Sequence, residues 1–356
     1  MGFHFYRALL FASVLIGAMA VHAQPLPVTC EVADKTCLRQ AIRAHVVRQP
    51  AFWQADFSRP LLDRIGTAPR ELIHYLTLDN MNQGYPERPR TPPPDEAFLA
   101  DVRSAFAELP APVLQLFNRR LIGIYLADEL GGTGWTDMVR DSSGVPMGGM
   151  IVLDAGVLKK RTANQWATWK ESTPFRPDPR WQLQARIEDM ERDTTRYAIQ
   201  YILLHELGHV LSIGSDVHPS HLIEPREVPN GTPFPFFELS WRIDQSRNQY
   251  FSLFDLTLQR RHDVSYYFGA RLESADMLPL YTAVEQTNFP TLYAVTRPFD
   301  DFAEAFASYV HVEVMRRPWR IDISHDGKIV KTFKSCWDEP RCASKRQALE
   351  RTLDRP

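Results

Sequence analysis

The chain has little cysteine and no excess of charge of either sign. Its 356 residues include four cysteines and no Cys-x-x-Cys pair, which excludes a disulfide-dense scaffold and a zinc ribbon. The 41 Lys+Arg and 43 Asp+Glu leave a formal net charge of −2, so nucleic acid is not an expected partner. Apolar residues make up 44% of the chain, which excludes a disordered protein.

Long apolar runs are also missing, except at the start of the chain. Arg7 precedes an apolar run over 8–21, and the small residues Val21 and Ala23 lie at the end of this run. This pattern predicts a signal peptide over 1–23, because the run is shorter than the roughly 20 residues that span a bilayer. An uncleaved anchor is the alternative. Cleavage would leave no stable membrane anchor, and the mature chain would be secreted or periplasmic.

The four cysteines lie close to the two ends of the chain. Cys30 and Cys37 flank one short loop, and Cys336 and Cys342 flank another. Export would place them in an oxidising compartment, where cysteines pair. Of three connectivities we expect the two local disulfides. Such small loops remove little entropy from the unfolded chain, so each disulfide would fix a terminus rather than hold the core.

A proline-rich stretch over 86–94 predicts a stiff linker. It suggests a helical N-terminal subdomain with its linker over 24–94, a main domain over 95–335, and a C-terminal tail with a local disulfide over 336–356. Strand patterns at 121–126 and 149–153 alternate with helical patterns at 96–108, 181–213 and 298–316. Together these elements predict an α+β fold with a mostly helical N-terminal subdomain.

The apolar segment over 202–211 contains the pattern His-Glu-x-x-His, formed by His205, Glu206 and His209. Positions i and i+4 share one face of a helix, so the two imidazoles can bind one zinc ion. Glu206 would then lie beside the metal and could take a proton from the attacking water. Two histidines of purely structural role are the alternative, but buried histidines in so apolar a helix need a ligand or a hydrogen bond.

The motif offers two zinc ligands, and a third is expected downstream of it. Ser212 and Ser215 stand where a metzincin would have glycine and histidine, which excludes that class. Asp300 and Glu304 are four residues apart on a predicted helix, so both carboxylates could face the metal helix. Either oxygen would suit zinc. Acidic residues are also common at helix N-termini, which offers a non-functional explanation, especially for Asp300.

His-Glu-Leu-Gly-His followed by Phe-Ala-Glu-Ala-Phe resembles the gluzincin metallopeptidases related to anthrax lethal factor and the Pro-Pro endopeptidases. The resemblance implies a zincin-like main domain. It also implies that Tyr293, seven residues before Asp300, donates a hydrogen bond to the oxyanion, that Asp300 is the third ligand, and that Glu304 orients a zinc histidine. The family has glutamate at the position of Asp300. Either the helix lies closer here, or Glu304 becomes the ligand.

The sequence therefore predicts an exported, single-zinc metallopeptidase that hydrolyses peptide or protein substrates with Glu206 as general base. A zinc hydrolase of non-protein amide bonds, such as those of cell-wall peptides, is one alternative. A non-catalytic, zinc-stabilised binding module is another, although a structural site has no need of Glu206. The strand over 147–154 is expected either to form the edge of the substrate cleft or to be an ordinary strand of the sheet.

Overall fold

A computed structural model of the chain describes residues 28–118, 120–220 and 223–354. The predicted signal peptide over 1–23 lies outside these residues. Of the described residues, 45% are helical and 19% are in strands, so the mixed content predicted for an α+β fold is confirmed. Among the described helices, none is both long enough and apolar enough to cross a membrane.

Eleven α-helices are named in chain order within the described residues. They are α1 (Lys35–Ala44), α2 (Gln54–Phe57), α3 (Arg70–Gln83), α4 (Glu96–Ala107), α5 (Ala111–Phe117), α6 (Ala155–Leu158), α7 (Ala163–Ser172), α8 (Thr195–Ser212), α9 (Met277–Val284), α10 (Pro298–Tyr309) and α11 (Ala343–Leu353). The strands are β1 (Ile65–Thr67), β2 (Leu121–Ala127), β3 (Gly134–Arg140), β4 (Pro146–Asp154), β5 (Phe175–Arg176), β6 (Trp181–Arg186), β7 (Trp241–Asp244), β8 (Gln249–Ser252), β9 (Leu272–Glu273), β10 (Arg320–His325) and β11 (Lys328–Lys334).

The largest sheet has four strands in the order β1-β2-β4-β3. Strands β1, β2 and β4 are parallel, and β3 runs antiparallel to β4 at one edge. Ile65 of β1 pairs with Ile124 of β2, so a strand before the proline-rich segment joins the same sheet as strands after it. The division of the chain near residue 94 stays a prediction, and the sheet is continuous across it.

Both faces of this sheet are covered by helices. Met150 and Val152 of β4 pack in a cluster with residues of α1 and α3, whereas Ile151 and Leu153 pack in a second cluster with residues of α4 and α8. Successive side chains of a strand point to opposite faces, so an apolar run such as β4 serves two cores at once. Helix α8 thereby lies on the sheet with its apolar residues buried.

The helix predicted over 181–213 is wrong in its first part. Residues Trp181–Arg186 form β6, which pairs with β10 in a three-stranded antiparallel sheet, and α8 begins at Thr195. The alternation in β6 of exposed Gln182 and Gln184 with buried Leu183 and Ala185 is the period-two pattern of a half-buried strand. Pairing with a distant strand decided the structure of this segment.

Both predicted local disulfides are confirmed, Cys30–Cys37 and Cys336–Cys342. The C-terminal segment is packed rather than extended, since the Lys345 ammonium of α11 forms a buried ion pair with the Asp301 carboxylate of α10. Helix α10 is thus anchored from the C-terminal side. The same helix carries the predicted carboxylates Asp300 and Glu304.

Candidate metal centre

Helices α8 and α10 pack against each other at Gly208, inside the His-Glu-Leu-Gly-His segment. A Cβ atom at Gly208 would lie 2.7 Å from the Cα and 3.2 Å from the carbonyl oxygen of Ala303. Only glycine allows two helix backbones to come this close. The close approach brings the two motif histidines beside the acidic residues of α10.

His205, His209 and Asp300 each offer one ligand atom, and these atoms lie within 4.8 Å of one another. The Nε2 atoms of the two histidines are 3.2 Å apart, and Asp300 Oδ1 lies 3.7 Å from His209 Nε2. Ligand atoms bound about 2.1 Å from one tetrahedral ion are separated by about 3.4 Å. The three residues could therefore hold a metal ion. The side chains of His209 and Asp300 are 22% and 18% exposed, so the centre is open on their side.

Glu304 lies behind the centre rather than in it. Its Oε1 is 2.9 Å from Nδ1 of His205, in an ion-pair contact that is not a linear hydrogen bond. A proton on Nδ1 would leave Nε2 of His205 as the free ligand atom. Thr291 donates a hydrogen bond of 2.8 Å to Glu304 Oε2. Asp300 thus belongs to the group that could hold a metal ion, and Glu304 contacts His205 from outside that group.

The carboxylate of Glu206 is fixed by strand β3. Thr136 Oγ1 donates a hydrogen bond of 2.6 Å to Glu206 Oε2. A Cβ atom at Gly134 would lie 2.4 Å from Glu206 Oε1, so the strand backbone passes directly beside the carboxylate. Burial raises the pKa of Glu206, and His205 and the Thr136 hydroxyl oppose that rise in part. A carboxylate with a raised pKa is a better proton acceptor.

Tyr293 is also close to the motif histidines. Its ring is stacked on His205, with centroids 5.4 Å apart and planes inclined by 19°. Burial raises the pKa of the Tyr293 hydroxyl well above its ordinary value, and the charge of Asp300 adds to that rise. The hydroxyl therefore stays protonated at neutral pH and can donate a hydrogen bond.

Burial and neighbouring charges also shift the pKa values of Glu304, His205 and Asp300. Burial opposes the charge of Glu304, but Lys170 and His205 outweigh burial and lower the pKa of Glu304 to about 2. Burial also disfavours the charged form of His205, yet the neighbouring Glu304 raises the pKa of that imidazole. The pKa of Asp300 is raised by burial. Two negative carboxylates and a histidine held beside them suit a cation.

A cavity of about 200 Å³ adjoins the centre on the side of His205 and Glu206. Aromatic rings form much of its wall, namely Tyr85, Trp135, Trp166, Tyr267, Phe268 and Tyr293. Tyr85 and Phe268 come from distant parts of the chain and stack with centroids 4.3 Å apart. The volume is below the roughly 300–1,000 Å³ of pockets that enclose a whole small ligand, so the cavity has room for a single side chain.

Of the two expectations for the strand over 147–154, the structure agrees with an ordinary strand of the sheet. Strand β4, which contains the predicted segment 147–154, is an inner strand with β2 and β3 on either side. The edge strand is β3, which begins at Gly134 at the end of a glycine-rich stretch. Apolar and polar residues do not alternate strictly over 135–139, so periodicity alone did not indicate this strand.

Comparisons with family models, with curated proteins and with solved structures gave no match to this chain. The interpretation of the centre therefore rests on its own geometry. That geometry defines a candidate metal centre made of two histidines and one carboxylate, with a second carboxylate beside it.

Proposed function

We propose that this chain is an exported metallopeptidase that uses a single zinc ion. The observation that carries the proposal is the arrangement of four groups at the helix crossing. His205, His209 and Asp300 offer ligand atoms close to one another, and Glu206 lines the same cavity as His205 without belonging to that group. A purely structural zinc site is usually closed by four protein ligands, whereas a catalytic one keeps an open position.

Two histidine nitrogens and one carboxylate oxygen are a donor set typical of catalytic zinc. When bound, zinc supplies a Lewis acid and lowers the pKa of water. The Asp300 carboxylate, one methylene shorter than the glutamate of the resembled family, is brought within reach by the close helix crossing at Gly208. This supports the explanation that the helix lies closer here, so that Asp300 and not Glu304 is the ligand.

Glu206 is assigned the role of general base. Its carboxylate is oriented by Thr136, and burial raises its pKa, which favours acceptance of a proton from the attacking water. The same carboxylic acid would then deliver that proton to the leaving amine. Tyr293 would donate its hydroxyl proton in a hydrogen bond to the substrate carbonyl oxygen as negative charge develops there.

The antiparallel edge strand β3 offers a place for an extended substrate. An edge strand has unpaired backbone N–H and C=O groups, and a peptide can add to it as another strand. Because Thr136 on this strand contacts Glu206, a peptide paired with β3 would lie next to the general base. The two disulfides, together with the predicted signal peptide, support export.

The test compares the wild type with Glu206→Gln, both loaded with zinc, on a broad peptide library and on intact cell-wall fragments. We expect the wild type to cleave peptides and the variant to bind zinc but to lose hydrolysis by more than about 100-fold. Equal cleavage by both proteins contradicts the role of Glu206. If the wild type cleaves only the cell-wall fragments, the protein is a hydrolase of non-protein amides. If the wild type binds zinc but hydrolyses nothing, the protein is a binding module.

A further inference from the structure

A buried lysine lies behind the metal centre, although no motif in the sequence indicated it. Lys170 of α7 has a side chain that is only 4% exposed. Its Nζ lies 3.1 Å from Glu304 Oε1 and 3.1 Å from Glu171 Oε1. An ammonium group removed from water to this extent requires such partners, because an unpaired buried charge is very costly.

Lys170 and His205 meet the same oxygen atom. Glu304 Oε1 is the partner of Lys170 Nζ and also lies 2.9 Å from Nδ1 of His205. The other oxygen, Oε2, accepts the hydrogen bond from Thr291. The position of Glu304 is therefore set by Lys170 on one side and Thr291 on the other, and the orientation of His205 follows from it.

The far side of Lys170 is fixed as well. Glu171 Oε2 accepts hydrogen bonds from the hydroxyls of Tyr266 and Tyr281, at 2.8 and 2.9 Å. Without the lysine, the buried carboxylates of Glu304 and Glu171 would lose the positive charge that they share. Such a pair repels, and Glu304 would be free to turn away from His205.

We propose that Lys170 is a positioning residue of the metal centre, which holds Glu304 against His205 so that the histidine presents Nε2 to the metal. The proposal rests on the proposed function only in taking zinc as the metal. Lys170 does not belong to the group that could hold the metal, and its ion-pair partners are Glu304 and Glu171, so it acts through Glu304.

A second buried lysine provides a matched control. Lys345 is fully buried and forms an ion pair with Asp301, which belongs to the same helix as Glu304. Asp301 also accepts a hydrogen bond from Trp241, and neither group is among the ligand-bearing residues of the centre. Replacing either lysine with methionine removes one buried positive charge opposite α10, but only one of the two charges is coupled to His205.

The experiment measures the zinc affinity of the full chain by competition with a chelator, and its stability without metal by denaturant unfolding. We expect Lys170→Met to weaken zinc affinity about 10- to 100-fold. Lys345→Met should lower the stability of the metal-free chain and leave zinc affinity unchanged. Wild-type zinc affinity in a folded Lys170→Met variant overturns the proposal, and so does an equal loss of affinity in both variants.

Thr291→Val is a second variant for the case that Lys170→Met does not fold. This substitution removes the hydroxyl that donates a hydrogen bond to Glu304 and changes the side-chain volume little. A weaker zinc affinity in Thr291→Val supports the positioning of His205 through Glu304, and wild-type affinity contradicts it. These outcomes are distinct from failure of the proposed function. A wild-type protein that binds zinc but cleaves no amide would refute the peptidase while leaving the comparison of the lysines intact.

Discussion

The close helix crossing at Gly208 gives a quantitative prediction for Gly208→Ala. The added Cβ would lie 2.7 Å from Ala303 Cα, whereas ordinary van der Waals contact begins at 3.4 Å. Because the neighbour is backbone and cannot rotate away, α8 and α10 must separate by about 0.7 Å. Overpacking of this kind costs about 1–3 kcal/mol. Alanine in a helix interior recovers about 1 kcal/mol, so we expect a net loss of up to about 2 kcal/mol in the free energy of unfolding.

The same separation affects the metal centre, because the ligands come from both helices. His205 and His209 would move with α8, and Asp300 would move with α10. A displacement beyond about 0.5 Å exceeds the tolerance of a catalytic site. We therefore expect Gly208→Ala to bind zinc more weakly and to hydrolyse peptides about 100-fold more slowly.

Stability is measured by denaturant unfolding of the metal-free chain, and zinc affinity by chelator competition. Gly66→Ala is the matched control, since a Cβ there would meet no heavy atom within 4 Å. It should change the free energy of unfolding by less than about 0.5 kcal/mol and leave zinc affinity unchanged. Wild-type stability and zinc affinity in Gly208→Ala would refute the view that this crossing sets the geometry of the centre.

Two further predictions concern the general base and the pH dependence of stability. Gly134→Ala places a Cβ 2.4 Å from Glu206 Oε1, so the substitution should displace the Glu206 carboxylate. We expect a lower kcat with zinc content at the wild-type level, because Glu206 is the general base and not a ligand. Loss of zinc from Gly134→Ala would contradict this prediction. Burial lowers the pKa of His311 from 6.5 to about 4, so the unfolded chain binds more protons between those values. The free energy of unfolding should then fall by roughly 3 kcal/mol from this residue as pH drops from about 6.5 to about 4. His311→Gln should flatten that part of the curve, and an unchanged slope would contradict the assignment.

The residues at the metal centre were largely readable from local sequence, because helical spacing places i and i+4 on one face. His205 and His209 followed from that rule, and the structure brings both to one point. The same rule did not decide whether Asp300 or Glu304 is the third ligand, since both project from the same face of α10. The helix crossing separates them: Asp300 reaches His209 Nε2, and Glu304 reaches the opposite nitrogen of His205.

Groups that reach the centre from distant parts of the chain were not predictable in this way. Lys170 contacts Glu304 across 134 positions, and Thr136 contacts Glu206 across 70. Contacts between residues so far apart in the sequence follow no local spacing rule such as the i, i+4 spacing of a helix. The strand β6 was missed for the same reason, since its pairing partner β10 lies far away in sequence. Local patterns predicted both disulfides and the helices that carry the motif residues, α8 and α10, whereas long-range pairing decided segments such as β6.

The metal content of the purified chain tests the proposed zinc centre most directly. Elemental analysis of the wild type should find about one zinc ion per chain, as expected for a single catalytic site. Asp300→Ala should lose most of the zinc, and Glu304→Ala should retain zinc with reduced affinity, because Glu304 contacts His205 rather than the ion. Near-stoichiometric zinc in Asp300→Ala, or no zinc in the wild type after reconstitution, would contradict the proposed centre.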